Sequence, residues 1–395
     1  MNMRIIETTL LPVLFILFLF LIGGYLYLSP DQEVSFVEYR SLQQKPEMTL
    51  KGIANGEFVK QYEDYFTDQF PGRNLWLKTY LKLQQLSGKT FLNGYYIAED
   101  GTILPEPLKR FNEKEIKQAS VNLNKFAGYA SSKGAEVYFF GLPHKTTNVV
   151  VKMPSFVEIG KNKEKKDYFY SNLSANNMKI VDISEKFKNK YTQEEINDLY
   201  FKTDHHWNAE GAYSGYQIIK ETLKHSSVYT DIENKYELKC SNKKFEGSYN
   251  RQVYDIVDLR VDKPCIKVPV DNKYSEYKVY VNGKKSAYDK VYAAGIEKNS
   301  KLIYGHVFTD DIRKINISNP KVEKGNVLIV KDSYGSPITF DIAQHFRKST
   351  VVDIRYNKKQ SLKDILDLDT FDAVIFLYND GILQGELYEF DKAPL

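Results

Sequence analysis

The spacing of apolar and polar positions changes several times along the chain, and each change marks an element. From Thr8 to Leu28 the run is continuous, carries no charge and is interrupted only by Pro12, Gly23 and Gly24. At about 1.5 Å per residue it is long enough for a ~30 Å hydrocarbon layer. Arg4 and the amino terminus precede it, offset in part by Glu7, so the positive-inside rule places residues 1–7 in the cytoplasm. A cleavable signal peptide is the competing reading. The run is longer than a usual h-region and ends in bulky Leu26-Tyr27-Leu28, which favours an uncleaved signal anchor with everything after Ser29 outside the cytoplasm.

Residues 29–51, with Pro30, Gln43, Gln44 and Pro46, have no long apolar face and read as a spacer. Phe58, Tyr62, Tyr65 and Phe66 then recur at helical spacing until Pro71-Gly72 breaks the pattern, and a second helix is expected over about Asn74 to Ser87. Asp68 and Arg73 are expected to pair. Asn93-Gly94 and Asp100-Gly101 are turn signals around Tyr95-Tyr96-Ile97. Ile116, Ala119, Leu123, Phe126 and Ala130 predict a helix that Gly134 ends, followed by the buried strand Val137 to Phe140. Lys161 to Lys166 reads as a charged, solvated loop, and Lys179 to Ile183 as the next strand. Between about 230 and 320 helical periodicity fades into short alternating strands with an Asn282-Gly283 turn, a β-rich insertion. Val327 to Val330, Val351 to Ile354 and Ala373 to Tyr378 are later strands, with helices Ile338 to Phe346, opened by Pro337, and Leu362 to Leu368 between them. This alternation predicts a mostly parallel sheet covered by helices.

The candidate chemistry lies in two places. Thr203-Asp204-His205-His206-Trp207-Asn208 packs an acid and two imidazoles before an amphipathic helix of Ala212, Tyr216, Ile219 and Leu223, with Asn208 as its N-cap. Lys331-Asp332-Ser333-Tyr334-Gly335 follows an apolar strand and precedes a helix, a context that exposes a serine hydroxyl and directs backbone N–H groups at an oxyanion. A serine needs a base, which either His205 or His206 could supply, with Asp204 to orient it. Zinc is the alternative use of Asp204, His205 and His206. Neighbours on one loop rarely point the same way and no His-x-x-x-His pair accompanies them, so no metal is expected.

These motifs resemble those of the DHHW family, SGNH hydrolase-like proteins related to the alginate O-acetyltransferases AlgJ and AlgX. The likeness runs from about residue 57 to about 380 and is dense only at the motifs. It includes Asp68-Gln69-Phe70-Pro71-Gly72-Arg73 and Pro143-His144-Lys145. The resemblance implies an SGNH-like three-layer α/β/α fold, a Ser-His-Asp triad of Ser333, His206 and Asp204, and His206 rather than His205 as base. It also places Lys145 at the cleft and likens Asn379-Asp380 to the Asn block of SGNH enzymes. Lys145, Trp207, Tyr334 and Asn379 are the candidate substrate contacts. Lys331 stands where SGNH enzymes carry a glycine two before the serine.

The implied function is O-acetylation of an exported polysaccharide, with acetyl passed from a membrane-bound O-acyltransferase partner to Ser333 and then to a sugar hydroxyl. A carbohydrate esterase with the same triad and a non-catalytic scaffold of a polysaccharide synthesis complex are the alternatives. No cofactor is expected. A net charge of +4 spread over 55 basic and 51 acidic residues gives no nucleic-acid arm. Cys240 and Cys265, an even pair in a chain placed outside the cytoplasm, are expected to form a disulfide worth about 3.5 kcal/mol in the loop-entropy model. The remaining chain, 52–395, reads as one catalytic domain that contains the 230–320 insertion.

Overall fold

The computed structural model describes residues 10–35, 37–38, 40–270, 274–357 and 360–392. The expected cytoplasmic segment 1–7 and Thr8 lie outside the described residues. Two compact units emerge, 1–93 with 251–256, and 94–250 with 257–395.

In the first unit the apolar run forms helix α1, Leu11–Leu28, long and apolar enough to cross a membrane. Helices α2, Glu57–Gln69, and α3, Arg73–Leu86, follow, and Gly72, left-handed at φ 65°, makes the break between them. The segment expected as a spacer is folded. Val34–Ser35 pairs with Arg40–Ser41, Tyr65 donates a hydrogen bond to Asp31, and Leu50–Ala54 is a short helix. This folding also corrects the expected Asp68–Arg73 pair. The returning segment brings Arg40 to Asp68, at 2.8 Å from Nη1, and Glu38 to Arg73, at 2.9 Å. Each ion found a partner from the segment that folds back.

The second unit opens with a hairpin, β1 (Tyr95–Ile97) and β2 (Ile103–Pro105), turned at Gly101. Helix α4, Glu113–Ser132, leads into strand β3, Glu136–Leu142. Helix α5, Asn162–Ser171, occupies the stretch expected as a solvated loop. Lys166 is buried there because its ammonium reaches Asp182 at 2.8 Å, an ion pair that charge counting could not reveal. Strand β4, Lys179–Asp182, runs into α6, Ile183–Lys190, with Asp182 as N-cap, and α7, Ala209–Leu223, follows the histidine cluster. Strands β5, Tyr236–Cys240, and β6, Cys265–Pro269, pair antiparallel, and the Cys240–Cys265 disulfide joins them. Next come β7, Lys278–Val281, β8, Lys284–Ser286, and β9, Lys314–Ser318. Asn282 and Gly283, both at positive φ, make the β7–β8 turn. The last segment runs β10 (Asn326–Lys331), α8 (Thr339–Ala343), β11 (Lys348–Val352), α9 (Leu362–Leu368) and β12 (Ala373–Asn379). Pro337 lies inside a 3-10 turn, Ser333–Ile338, and α8 starts after it. The helix expected from Pro337 onward is therefore shorter.

Eight strands form one sheet in the order β8-β7-β9-β11-β10-β12-β3-β4. The five from β11 to β4 are parallel, and β7, β8 and β9 from the 230–320 stretch extend one edge antiparallel. Alternate residues of the parallel strands enter two different cores. Ile329, Leu377 and Phe140 meet α6 and α7, whereas Leu328, Phe376 and Phe139 meet α4 and α9. Burial on both faces explains why these strands read as unbroken apolar runs. The result is an SGNH-like three-layer α/β/α domain. The C-terminal ends of neighbouring strands β10, β12 and β3 carry Ser333, Asn379 and Lys145, at the edge where open α/β sheets bind ligands.

Candidate active site

Asp204, His206 and Ser333 come together although 127 positions separate the histidine from the serine. His206 Nδ1 lies 2.6 Å from Asp204 Oδ1, and Nε2 lies 2.8 Å from Ser333 Oγ. An ionised carboxylate can only accept, so Nδ1 carries the proton and Nε2 is left to accept from the serine hydroxyl. Burial alone would raise the Asp204 carboxyl. The neighbouring His206 imidazole and its hydrogen bond, with His205 and the Ser248 N–H, outweigh burial and hold it well below the usual carboxylate range. The acid and the histidine are buried, while Ser333 keeps partial exposure.

The loop that presents this acid and base is held from three sides. Asp262 accepts the backbone N–H groups of Lys202 and Thr203, at 2.6 and 2.8 Å. Lys145, fully buried, donates its ammonium to the carbonyls of Lys202 and Asp204, at 2.7 and 2.9 Å. Burial pushes this lysine down to about 8, against the pull of Asp262 and Asp204. Ser248 N–H donates to Asp204 Oδ2 at 2.6 Å. Gly247 must lack a side chain, since a Cβ there would stand 2.2 Å from the Thr203 carbonyl. Beyond the loop, Asn208 caps α7 by accepting from Glu210 and Gly211.

Both faces of the His206 ring are covered. Tyr304 stacks at 3.6 Å between centroids and 7° between planes, and donates its hydroxyl to the Ser333 carbonyl. His205 lies on His206 at 3.7 Å, and its Nδ1 stands 2.6 Å from Ser248 Oγ. Asp204, His205 and His206 offer ligand-type atoms within 4.8 Å of one another. In this arrangement both nitrogens of His206 and both oxygens of Asp204 are already engaged by protein groups, which does not suit a metal.

The residues expected to touch substrate make these contacts within the protein. Trp207 is fully buried, donates to the Tyr334 carbonyl at 3.1 Å, and presses so closely on α7 that a Cβ on Gly215 would lie 2.6 Å from its ring. Tyr334 is buried and donates its hydroxyl to the His205 carbonyl. The amide of Asn379 and its own backbone N–H both donate to Asp332 Oδ2 at 2.7 Å. Asp332 Oδ1 in turn accepts the Tyr334 N–H at 2.8 Å, which fixes the turn that carries Ser333. Lys145 is spent on the loop carbonyls. In all four the side-chain polar atoms have partners within the protein. Lys331, in place of a glycine, is accommodated because its buried ammonium donates to Ser336 Oγ at 3.0 Å and faces Asp353 at 3.8 Å.

Sequence reasoning missed Tyr304, Ser248 and Asp262. Gly247-Ser248 was available as a local signal, but nothing in the sequence links it to Asp204. Tyr304 is one tyrosine among 30.

A family model for the SGNH hydrolase-like domain of the acetyltransferase AlgX matches residues 106–262. Bacillus cereus PatB1 is similar at 30% identity with a TM-score of 0.68, over 75% of this chain and 99% of that one. A second PatB1 structure, with a sulfonyl adduct, is similar at 29% identity and a TM-score of 0.66, over 75% and 98% of the two chains. A DHHW family protein from Eubacterium siraeum, at 18% identity and a TM-score of 0.56 over 75% of this chain and 94% of its own, shares the fold. No curated protein matches the chain.

Proposed function

The chain belongs to the SGNH hydrolase-like family that includes AlgX and the DHHW proteins, and from that membership we propose that it is an acyl-serine O-acetyltransferase acting on an exported polysaccharide. The observation that carries this reading is the hydrogen-bonded line from Asp204 through His206 to Ser333.

In the first half-reaction Ser333 Oγ attacks the acetyl carbonyl of the donor. His206 Nε2 takes the hydroxyl proton as the new C–O bond forms, and Asp204 stabilises the imidazolium. The N–H of Ser333 is the first candidate for the oxyanion donor, at the mouth of the 3-10 turn. The bond to the donor oxygen breaks, and His206 returns the proton to that leaving oxygen. In the second half a sugar hydroxyl gives its proton to His206 and attacks the acetyl-serine, and Ser333 leaves with the proton. Tyr304, flat against the imidazole, presents its electron-rich face to the positive charge that forms on His206 as the proton moves. A membrane-bound O-acyltransferase is the proposed donor. The proposed topology keeps α1 in the membrane as an anchor with the Ser333 domain outside.

The test is incubation with an activated acetyl ester, with and without candidate glycans, followed by mass spectrometry of protein and sugar. Acetyl is expected on the Ser333 peptide alone and then on the glycan, and S333A is expected to abolish both. A sulfonyl fluoride should label the same peptide. Wild-type turnover by S333A would overturn the assignment, and release of acetate only, with every glycan refused, would turn the proposal to an esterase.

A further inference from the structure

Among the described residues, helix α3 leaves an apolar face without a protein partner. Leu75, Trp76, Tyr80, Leu83 and Leu86 are between 57% and 85% exposed. At ~100° per residue they fall within an arc of about 140°. Lys82 borders that arc, and the helix has no acidic residue. A face of this size on a secreted domain calls for an occupant.

Its position identifies one. The first turn of α3, at Asn74 and Leu75, lines the same cavity of about 220 Å³ as Tyr25, Leu26 and Ser29 at the end of α1. Lys45 stands over the Tyr27 ring at 5.8 Å. If α1 spans the hydrocarbon layer, its last turn is at the headgroup level, and the start of α3 is held there too. An indole and a phenol on an apolar face, with a lysine at its border and no acid on the helix, suit that depth, where aromatic side chains collect and anionic headgroups attract lysine.

We propose that α3 is an interfacial helix, with its Leu75–Leu86 face seated in the outer headgroup region of the membrane that α1 crosses. The proposal rests on the reading of α1 as a retained anchor. Seating α3 would hold the first unit against the bilayer through a second contact, where an acetyl group delivered at the membrane surface would be received.

The chain carries two tryptophans, and Trp207 is fully buried, so Trp76 reports on this face. The full chain is reconstituted into phosphatidylcholine–phosphatidylglycerol vesicles with and without lipids brominated near the headgroup. Emission is compared with that of W76F, whose remaining signal comes from Trp207. The difference signal is expected to be blue-shifted and to fall roughly twofold with brominated lipid, as for an indole at the interface. Flotation of the vesicles separates the two claims. A chain that floats while its Trp76 signal stays water-like and unquenched overturns the docking and leaves the anchor, as it would if the face served a protein partner. A chain that does not float overturns both.

Discussion

His206 is gripped at both nitrogens and on both ring faces, and the grips can be separated by substitution. Y304F keeps the stacked ring and loses only the hydroxyl bond to the Ser333 carbonyl, so it should stay near wild-type turnover. Y304L removes the ring that steadies the imidazolium. A cation–π contact of roughly 0.5–2 kcal/mol predicts a fall in kcat of about 2- to 30-fold, read in steady-state assays of acetyl transfer. H205A leaves the Asp204–His206–Ser333 line intact and should cost far less than H206A, whose loss should approach that of S333A because triad members act as a unit. A dead H205A with an active H206A would reverse the assignment. The polar members of this arrangement were legible because an acid, two histidines and a post-strand serine are few and locally conspicuous. Tyr304 was not, because a stacking ring carries no sequence mark that distinguishes it from a core ring.

The loop 202–208 is the element that carries Asp204 and His206, and Lys145 is the side chain that spans it. K145M keeps much of the buried stem but leaves the Asp204 carbonyl without its donor, while the Lys202 carbonyl keeps the Ile103 N–H. At about 1–3 kcal/mol for an unsatisfied buried group, the domain should lose an amount of that order, seen as a lower midpoint in urea. If Lys145 positions the loop and does not touch substrate, kcat should fall while KM holds. A raised KM with unchanged kcat would return Lys145 to the cleft, where the sequence first suggested it. The parallel strands were readable at this scale because burial on both faces removes polar residues from β10, β12 and β3. The loop-to-helix error at 161–166 has the opposite origin. Lys166 is buried on α5 only because Asp182, at the end of β4, neutralises it, and pairing of that kind depends on tertiary structure. The same holds for Arg40 with Asp68 and Glu38 with Arg73.

Across the larger unit, a buried polar network joins the helix after Ser333 to the 230–320 stretch. Asp341 on α8 accepts the hydroxyls of Tyr236 and Tyr274, at 3.0 and 2.8 Å, and Gln344 reaches Tyr216 on α7 at 2.9 Å. Nothing in the periodicity of α8 announced this, since the partners come from three separate segments. Burial pushes the Asp341 carboxyl up to about 7, against the opposing effect of the two tyrosine hydroxyls. In the unfolded chain an aspartate titrates near ~3.9. Between those values the unfolded chain gives up a proton that the folded protein retains. The stabilising contribution of Asp341 is therefore full below about pH 4 and is lost as pH rises through 7. D341N cannot ionise and is free of this loss. His345, which burial pushes down to about 4, has the opposite pH slope, but it is present in both proteins and cancels in the difference. The melting temperature of wild type minus that of D341N should therefore fall steadily from pH 4 to pH 7, whatever constant offset the amide introduces. A difference that stays flat over that range would mean that Asp341 is ionised in the folded protein, and that the two tyrosine hydroxyls hold a carboxylate.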